Sequence, residues 1–276
     1  MRLPVILSLT LLLLALGIVP SRAEAPFVIG IAPHTSARVI LDMYEPLRSY
    51  LEKELGRPVE VATAPDFDTF ARRGMSQEFD LAVTTGHQAR LLQTDAGYLP
   101  LLTYKADFKA VVLVDNGSSL KSPGDLKGKQ VLGLSPASLV TIWGLHWLKD
   151  NGVDTSTVKY VSASDSVAQL ILAGDASAGF TSLANYQKLP PEIKNRLRIF
   201  AESKPMAGRV YVLNQRHKSL KKKIDRFLLA FAATPEARNY FTTNKLEGYR
   251  QLRPTELKEM DRYAAETRKV ISTPKK

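Results

Sequence analysis

The stretch QVLGLSPASLVTIWGLHW, residues 130–147, contains the clearest change from a strand pattern to a helix pattern in the chain. Its first part is a short apolar run typical of a buried strand, and its last part carries apolar residues at helical spacing. Between the two parts, Ser135 is a good N-cap and Pro136 suits the first position of a helix. The stretch therefore predicts a strand, a tight turn and a helix capped by Ser135.

The start of this predicted helix is a candidate anion site. The unpaired N–H groups of a first helical turn and the positive end of the helix dipole both favour negative charge. In an open α/β sheet such a turn also lies at the carboxyl end of a strand, where ligands usually bind. We therefore expect Ser135, Ala137 and Ser138 to face a ligand, and an ordinary helix cap is the alternative interpretation.

Composition narrows the classes of function. The chain has 276 residues, of which 45% are hydrophobic, and this is enough for one large or two ordinary domains. It has no cysteine, which excludes disulfides, thiolate metal sites and a lipid-modified N-terminal cysteine. The four histidines do not show the spacing of a zinc site, so no metal or cofactor is predicted. The formal net charge of +11 raises the local concentration of anions.

The first 23 residues have the pattern of a secretory signal peptide. Arg2 is followed by an uncharged apolar run over residues 4–19, and small residues occupy positions 21 and 23. This pattern predicts cleavage after Ala23, with a retained membrane anchor as the alternative. We expect a periplasmic protein that is not a lipoprotein and does not bind nucleic acid, and we expect a monomer.

Short β-prone runs alternate with helical patterns along the whole chain. A first series of such units covers residues 27–114, and a second series follows from about residue 126 to residue 181. The alternation predicts an α/β fold of mostly parallel sheets flanked by helices. A turn-rich break at residues 115–118 and a return near residue 205 predict two lobes with two crossings. The first lobe would contain residues 24–115 and 205–276, and the second would contain residues 116–204.

The candidate ligand residues follow the carboxyl ends of predicted strands, with Tyr44 and Tyr104 as walls of the cleft. Hydroxyl groups, backbone N–H groups and aromatic faces suit a small polar or anionic molecule. A turn or cap role is the alternative for each of them. No catalytic residue is predicted, because no Gly-x-Ser-x-Gly elbow and no obvious Ser-His-Asp set occurs. The candidates are His34, Thr35, Tyr44, Thr84, Thr85, His87, Tyr104, Ser135, Ala137, Ser138, Ser164, Asp165, Thr181 and Ser182.

Five segments, in this order, resemble the phosphate-, phosphite- and phosphonate-binding components of bacterial ABC transporters, within the type II periplasmic binding proteins. They are YEPL at 44–47, YLEKELG at 50–56, DF at 66–67, EFDLA at 78–82 and DLKGK at 125–129. The resemblance implies two α/β lobes that are joined by two strands and close over a small ligand. It also implies delivery of that ligand to a membrane permease.

The ligand site departs from the family pattern. Phosphonate-binding members carry Ser-Thr-Ser-Gly or a near variant where this chain has residues 135–141, so only Ser138 matches the hydroxyl triplet. Residues 162–165 lack the ligand-contacting His that is frequent in the family, and residues 178–182 lack an acidic residue. Because a buried dianion needs several donors at once, we expect the fold and the binding role to carry over but not the ligand itself.

The sequence is compatible with three functions. The first is a solute-binding protein that captures a small polar anion, phosphonate- or phosphate-like or another oxyanion, for an ABC transporter permease. The second is a sensor subunit of the same fold that docks on a membrane receptor such as a histidine kinase. The third is an exported enzyme, for which the chain shows no motif.

Overall fold

The computed structural model describes residues 24–161 and 164–273, so the predicted signal peptide lies outside the described residues. Within them the chain forms strands and helices in alternation, with 3-10 turns at Pro123–Leu126, Gln215–Leu220 and Lys258–Met260. The strands are β1 Phe27–Ile31, β2 Val59–Ala62, β3 Leu81–Thr85, β4 Leu99–Tyr104, β5 Ala110–Asp115, β6 Val131–Gly133, β7 Val158–Tyr160, β8 Ala178–Ser182, β9 Leu197–Glu202, β10 Arg209–Leu213 and β11 Tyr249–Gln251. The helices are α1 Ala37–Leu55, α2 Phe67–Met75, α3 Gly86–Asp95, α4 Leu139–Asp150, α5 Ser164–Leu172, α6 Leu183–Lys188, α7 Pro191–Lys194, α8 Lys221–Phe231, α9 Pro235–Asn244 and α10 Asp261–Ser272.

The strands form two separate sheets, which confirms the predicted two-lobed α/β fold. The first sheet has the order β2-β1-β3-β10-β4-β11, and the second has the order β7-β6-β8-β5-β9. The series β1 to β3 and the series β6 to β8 pair in parallel, as the alternating pattern predicts. β5 and β10 run antiparallel to their neighbours. Each of these two strands enters its sheet from the other lobe.

The first crossing lies earlier than the sequence pattern suggests. β5 belongs to the second sheet, so the chain changes lobes between Tyr104 and Ala110 rather than after Asp115. The turn-rich segment that follows Asp115 instead lies within the second lobe. The second crossing, between Glu202 and Arg209, lies against the first, because the Met206 N–H donates to the Phe108 carbonyl at 2.9 Å. The two crossings therefore form one paired connection between the lobes.

Amphipathic helices cover the first sheet. α1 buries Ile40, Tyr44, Leu47 and Leu51, which recur at helical spacing on one face. Complete burial of each of the aliphatic side chains contributes about 1.5–3 kcal/mol relative to exposure. The C-terminal helix α10 packs against α2 and α3 of the first lobe and also against α4 of the second. Among the described residues, no helix is long and apolar enough to cross a membrane.

Two helix starts differ from the sequence expectation. α4 begins at Leu139 with Ser138 as its N-cap, three residues later than predicted, because the Ser138 hydroxyl accepts from the Thr141 N–H. Residues 135–138 form a separate turn, closed by the Ser138 N–H on the Ser135 carbonyl at 2.9 Å. The sequence predicts that Pro235 ends the helix before it, and Pro235 also opens α9 behind the N-cap Thr234. A proline at the first helical position marks a start as well as a stop.

Candidate functional site

A cleft of about 1960 Å³ lies between the two lobes and is lined by residues of both lobes and of the second crossing. Its walls include the starts of five helices, α1, α2, α3, α4 and α6. The corresponding N-cap residues are Ser36, Asp66, Thr85, Ser138 and Ser182, and all five line the cleft. Because each helix start carries roughly half a positive charge, their convergence favours an anionic occupant.

Four of these five cap residues satisfy their own helices. Ser36, Asp66, Ser138 and Ser182 each accept a hydrogen bond from the backbone N–H three residues further on. Thr85 makes no such bond, although it is only 9% exposed. Its hydroxyl has no partner among the described residues. A buried hydroxyl without a partner costs free energy, so Thr85 is a candidate ligand contact.

Two further polar atoms beside the cleft are also buried without a partner in the described part of the chain. They are the hydroxyl of Thr181, at the end of β8 in the second lobe, and Nε2 of His34, just after β1 in the first. Thr181 is 2% exposed. Both residues line the cleft. Each lobe thus contributes to the cleft lining a residue with a buried, unsatisfied polar atom.

Arg209 contributes a positive charge to the lining of the cleft. It is the first residue of β10, and its backbone pairs with Thr85 on β3. Among the described residues, no carboxylate lies within 4.0 Å of its guanidinium. The Tyr44 hydroxyl lies at 3.5 Å, and the Tyr104 ring centroid lies 5.7 Å from Cζ. Arg209 is thus positioned by neutral groups, and its charge is left for a ligand.

A cluster of five buried tyrosines, here called the tyrosine cluster, lies behind Arg209. The Tyr104 hydroxyl is 2.8 Å from that of Tyr211, 2.5 Å from that of Tyr240 and 3.4 Å from that of Tyr44. The Tyr211 hydroxyl in turn lies 2.8 Å from that of Tyr249. Burial raises the pKa of Tyr104, Tyr211 and Tyr240 well above 10, so these phenols remain neutral. A network of neutral hydroxyls can orient Arg209 without cancelling its charge.

The remaining charges of the cleft are predominantly positive. Besides Arg209, the cationic lining residues come from both lobes, and three carboxylates also line the cleft. The cations are Lys105, Lys188, Arg238 and Lys245, and the carboxylates are Asp66, Asp107 and Glu247. Burial lowers the pKa of Lys188, and the charges of Arg209 and Lys245 lower it further. Lys188 of the second lobe therefore lies within electrostatic reach of Arg209.

The structure brings eight of the fourteen sequence-predicted residues to the walls of the cleft. These are His34, Thr35, Thr85, Tyr104, Ser135, Ser138, Thr181 and Ser182. Ser138 and Ser182 nevertheless serve as helix caps, which was the alternative interpretation of both. Ser164 is the first residue of α5, and the side chains of Ser164 and Asp165 lie outside the described ones.

Four predicted residues are buried away from the cleft. Tyr44 belongs to the tyrosine cluster, and the Thr84 hydroxyl donates to the Gln88 side chain at 2.8 Å. His87 places Nε2 at 3.0 Å from the carbonyl oxygen of Ala137, and both residues are fully buried. This contact joins α3 of the first lobe to the 135–138 turn of the second. These side chains support the cleft rather than line it.

The sequence patterns missed Arg209 and Lys188. Arg209 occupies the amino end of its strand, whereas the sequence pattern predicts ligand residues at the carboxyl ends of strands. Because β10 is antiparallel to β3, its first residue reaches the same edge as the last residue of β3. In the sequence, the one local indication of a role for Arg209 is that it follows the predicted second crossing directly.

Comparison with known structures finds similar folds. XAC2383 from Xanthomonas citri bound to ATP has a TM-score of 0.76 and 20% identity, over 91% of this chain and 100% of that one. PhnD1 from Prochlorococcus marinus (MIT 9301) in complex with methylphosphonate has a TM-score of 0.75 and 15% identity, over 89% and 100%. The aliphatic sulphonate binding protein SsuA from Escherichia coli has a TM-score of 0.61 and 16% identity, over 91% and 94%. At these identities the likeness concerns the fold alone.

Sequence comparison identifies the family as well as the fold. Comparison with curated protein sequences finds no match. A family model described as "ABC transporter, phosphonate, periplasmic substrate-binding protein" matches residues 29–257, which include both lobes and both crossings. This match covers most of the chain and agrees with the two-lobed fold and the cleft between the lobes. The chain therefore belongs to the family of periplasmic substrate-binding proteins of phosphonate ABC transporters.

Proposed function

We propose that the protein binds a small tetrahedral oxyanion of the phosphonate or phosphate type in the cleft and delivers it to an ABC transporter permease. Family membership supports the binding role and the delivery. The departure from the family's hydroxyl triplet predicts a different ligand, but helix starts, hydroxyls and an arginine line the cleft and support this ligand class. The family assignment does not favour the alternative role as a sensor subunit.

The main support for an anionic ligand is that Arg209 has no counter-ion among the described residues. An arginine remains ionised in proteins, and a charge that is removed from water without a counter-ion is costly. Here the guanidinium contacts the phenols of Tyr44 and Tyr104, and no described carboxylate forms an ion pair with it. A ligand oxyanion would supply the missing counter-charge, and its other oxygens would accept hydrogen bonds from Thr85 and Thr181.

The solved relatives support the same class of ligand. PhnD1 is described in complex with methylphosphonate, XAC2383 with ATP, and SsuA as an aliphatic sulphonate binding protein. All three ligands carry tetrahedral phosphorus or sulfur oxyanions. The three proteins share the fold at low identity, so they indicate the chemistry that the fold accommodates rather than the ligand of this chain.

The proposal includes where and how the protein works. We infer export through the N-terminal segment with cleavage after Ala23, and action in the periplasm as a monomer. Reversible binding without turnover requires no cofactor. N-terminal sequencing of protein recovered from the periplasm of a bacterial host should find Glu24 as the first residue, and an intact Met1 would contradict cleavage.

The test is a melting experiment on the exported protein with phosphate, phosphite, methylphosphonate, methanesulfonate and acetate. A ligand at 100 times its Kd adds about 2.7 kcal/mol to the free energy of unfolding, which a thermal scan resolves. We expect the largest shift with a phosphorus oxyanion, and we expect Arg209→Gln to abolish it. The absence of a shift with every phosphorus and sulfur oxyanion would overturn the proposed ligand class. An unchanged shift in Arg209→Gln would remove Arg209 from the site.

A further inference from the structure

His34 differs from the other polar groups of the cleft in what it offers a ligand. Its Nδ1 lies 2.9 Å from the carbonyl oxygen of Ala32, and a carbonyl oxygen only accepts hydrogen bonds. Nδ1 must therefore carry the proton. In the neutral imidazole the other ring nitrogen, Nε2, is then an acceptor and not a donor.

The surroundings of His34 keep its ring neutral. Burial lowers the pKa of His34 well below 6.5, and the charges of Arg209 on β10 and Lys188 on α6 lower it further. The ring of Tyr44, on α1, packs edge-on against the imidazole with the centroids 6.4 Å apart. No described carboxylate lies within ion-pair distance of His34 to favour the imidazolium.

Nε2 of His34 is buried and has no partner among the described residues. A histidine that contacted only the oxygens of a fully deprotonated anion would have to donate. Here the fixed tautomer would instead place a lone pair against another lone pair, which leaves a buried acceptor unsatisfied. The acceptor is satisfied only if the ligand brings a proton to this position.

Resting on the proposed function, we propose that His34 selects oxyanions that carry a hydroxyl proton, so the preferred ligand is a monoprotonated phosphonate or phosphate rather than a sulfonate. Arg209 holds the negative charge of the ligand. The P–OH group of the ligand donates to Nε2 of His34. A sulfonate has the same tetrahedral shape and a single negative charge, but it has no proton to donate at neutral pH. His34 is thus a specificity residue and not a catalytic one.

Methylphosphonate and methanesulfonate form a matched pair of probes. At a pH where methylphosphonate is singly charged, the two differ chiefly in one O–H group. We expect the wild-type protein to bind methylphosphonate at least about tenfold more tightly, since an unpaired buried acceptor disfavours the sulfonate. We also expect this preference to shrink as pH rises through the second pKa of methylphosphonate. Equal affinities, or stronger phosphonate binding to the dianion, would overturn the role of His34.

His34→Phe keeps an aromatic ring against Tyr44 and removes the acceptor. Titration calorimetry on this variant should show a ratio of the two affinities close to one, mainly because phosphonate binding weakens. The matched control is His146→Phe, because His146 lies on α4 beside Tyr263 and is not a lining residue of the cleft. This control should keep the wild-type ratio, and a full wild-type ratio in His34→Phe would also overturn the inference.

The same experiment distinguishes failure of the proposed function from failure of the role of His34. If the wild-type protein binds neither probe and no other oxyanion, the proposed function fails and the inference fails with it. If both probes bind with equal affinity, the proposed function stands and only the selectivity by His34 is lost.

Discussion

A charged side chain lies at each end of the first sheet, and only one of the two has a counter-ion in the described part of the chain. At the cleft end, Arg209 has phenols and a backbone strand as neighbours and no described carboxylate. At the far end, Asp80 precedes β3 and is 5% exposed. Its Oδ1 accepts from Arg216 at 2.6 and 2.8 Å and lies 2.5 Å from Nε2 of His217, and its Oδ2 accepts from the Val28 N–H at 2.7 Å.

The difference separates a structural charge from a functional one. Asp80 is satisfied entirely by this chain, so it ties β1 and β3 to the 3-10 turn that contains Arg216 and His217. Arg209 is left unsatisfied by the chain, which is tolerable where a ligand provides the partner. Removing one partner of a buried ion pair is destabilising, whereas a charge without a counter-ion in the chain is available to an anionic ligand.

The largest expected effect is on ligand binding at Arg209. Arg209→Gln should weaken the binding of methylphosphonate by about a hundredfold or more, because truncating one member of a buried ion pair costs roughly 2–5 kcal/mol. The unliganded variant should melt no lower than wild type, because the substitution removes an uncompensated charge. Titration calorimetry and thermal melting without ligand measure the two quantities. A large loss of stability together with unchanged binding would reverse the assignment.

The opposite result is expected at Asp80. Asp80→Asn should lower the free energy of unfolding by about 2 kcal/mol, since the side chains of Arg216 and His217 lose their common carboxylate acceptor. The affinity for methylphosphonate should stay within a factor of two or so of wild type, because the site lies at the other end of the sheet. Urea unfolding and calorimetry on the same preparation make the comparison. Weakened binding in a well-folded Asp80→Asn protein would show that the two ends are coupled.

Smaller effects of the same kind are expected for buried threonines. Thr85→Val and Thr181→Val should each weaken methylphosphonate binding about tenfold while leaving the unliganded protein at least as stable. The control is Thr141→Val, because the Thr141 hydroxyl accepts from the Leu134 N–H at 2.8 Å and lies 2.9 Å from the Ser138 hydroxyl. The main effect of Thr141→Val should be a loss of stability, because the hydroxyl that it removes has partners within the chain. Destabilisation by Thr85→Val would indicate a partner for its hydroxyl within the chain.

Near neutral pH the smallest effect is expected at His87, where substitution changes the pH dependence of stability. Burial lowers the pKa of His87 to about 4, although its hydrogen bond to the Ala137 carbonyl opposes the shift. Because the folded pKa lies below the ordinary 6.5, protonation favours the unfolded chain. The contribution of His87 is complete above pH 6.5 and is lost as the pH falls towards 4. His87→Gln, whose amide can still donate to Ala137, should flatten the unfolding free energy over this range.

The slope in His87→Gln should be reduced and not abolished, because His34 shifts in the same direction. Urea unfolding at several pH values between 4 and 7 measures it. An unchanged slope would mean that the buried imidazole of His87 does not govern acid sensitivity.

Local sequence patterns were sufficient for the elements and for one edge of the site. Apolar periodicity located most strands and helices, because the spacing of apolar residues along a short segment indicates which face of a strand or helix is buried. The rule that ligands bind at the carboxyl ends of parallel strands found His34, Thr85 and Thr181, which all line the cleft. It also selected Thr84 and His87, since a sequence does not reveal which side of a turn a side chain occupies.

The sequence by itself determined the alternation of strands and helices, the resemblance to a binding-protein family and the group of hydroxyl residues near strand ends. Only the tertiary structure decided that β5 also enters from the opposite lobe and that both β5 and β10 run antiparallel to their neighbours. That long-range pairing places Arg209 beside Thr85, and it gathers five tyrosines from distant segments behind the arginine. The physical reason is that hydrophobic periodicity is a property of neighbouring residues in the sequence. Whether a charge or a hydroxyl finds a partner depends instead on distant segments that the fold brings close to it.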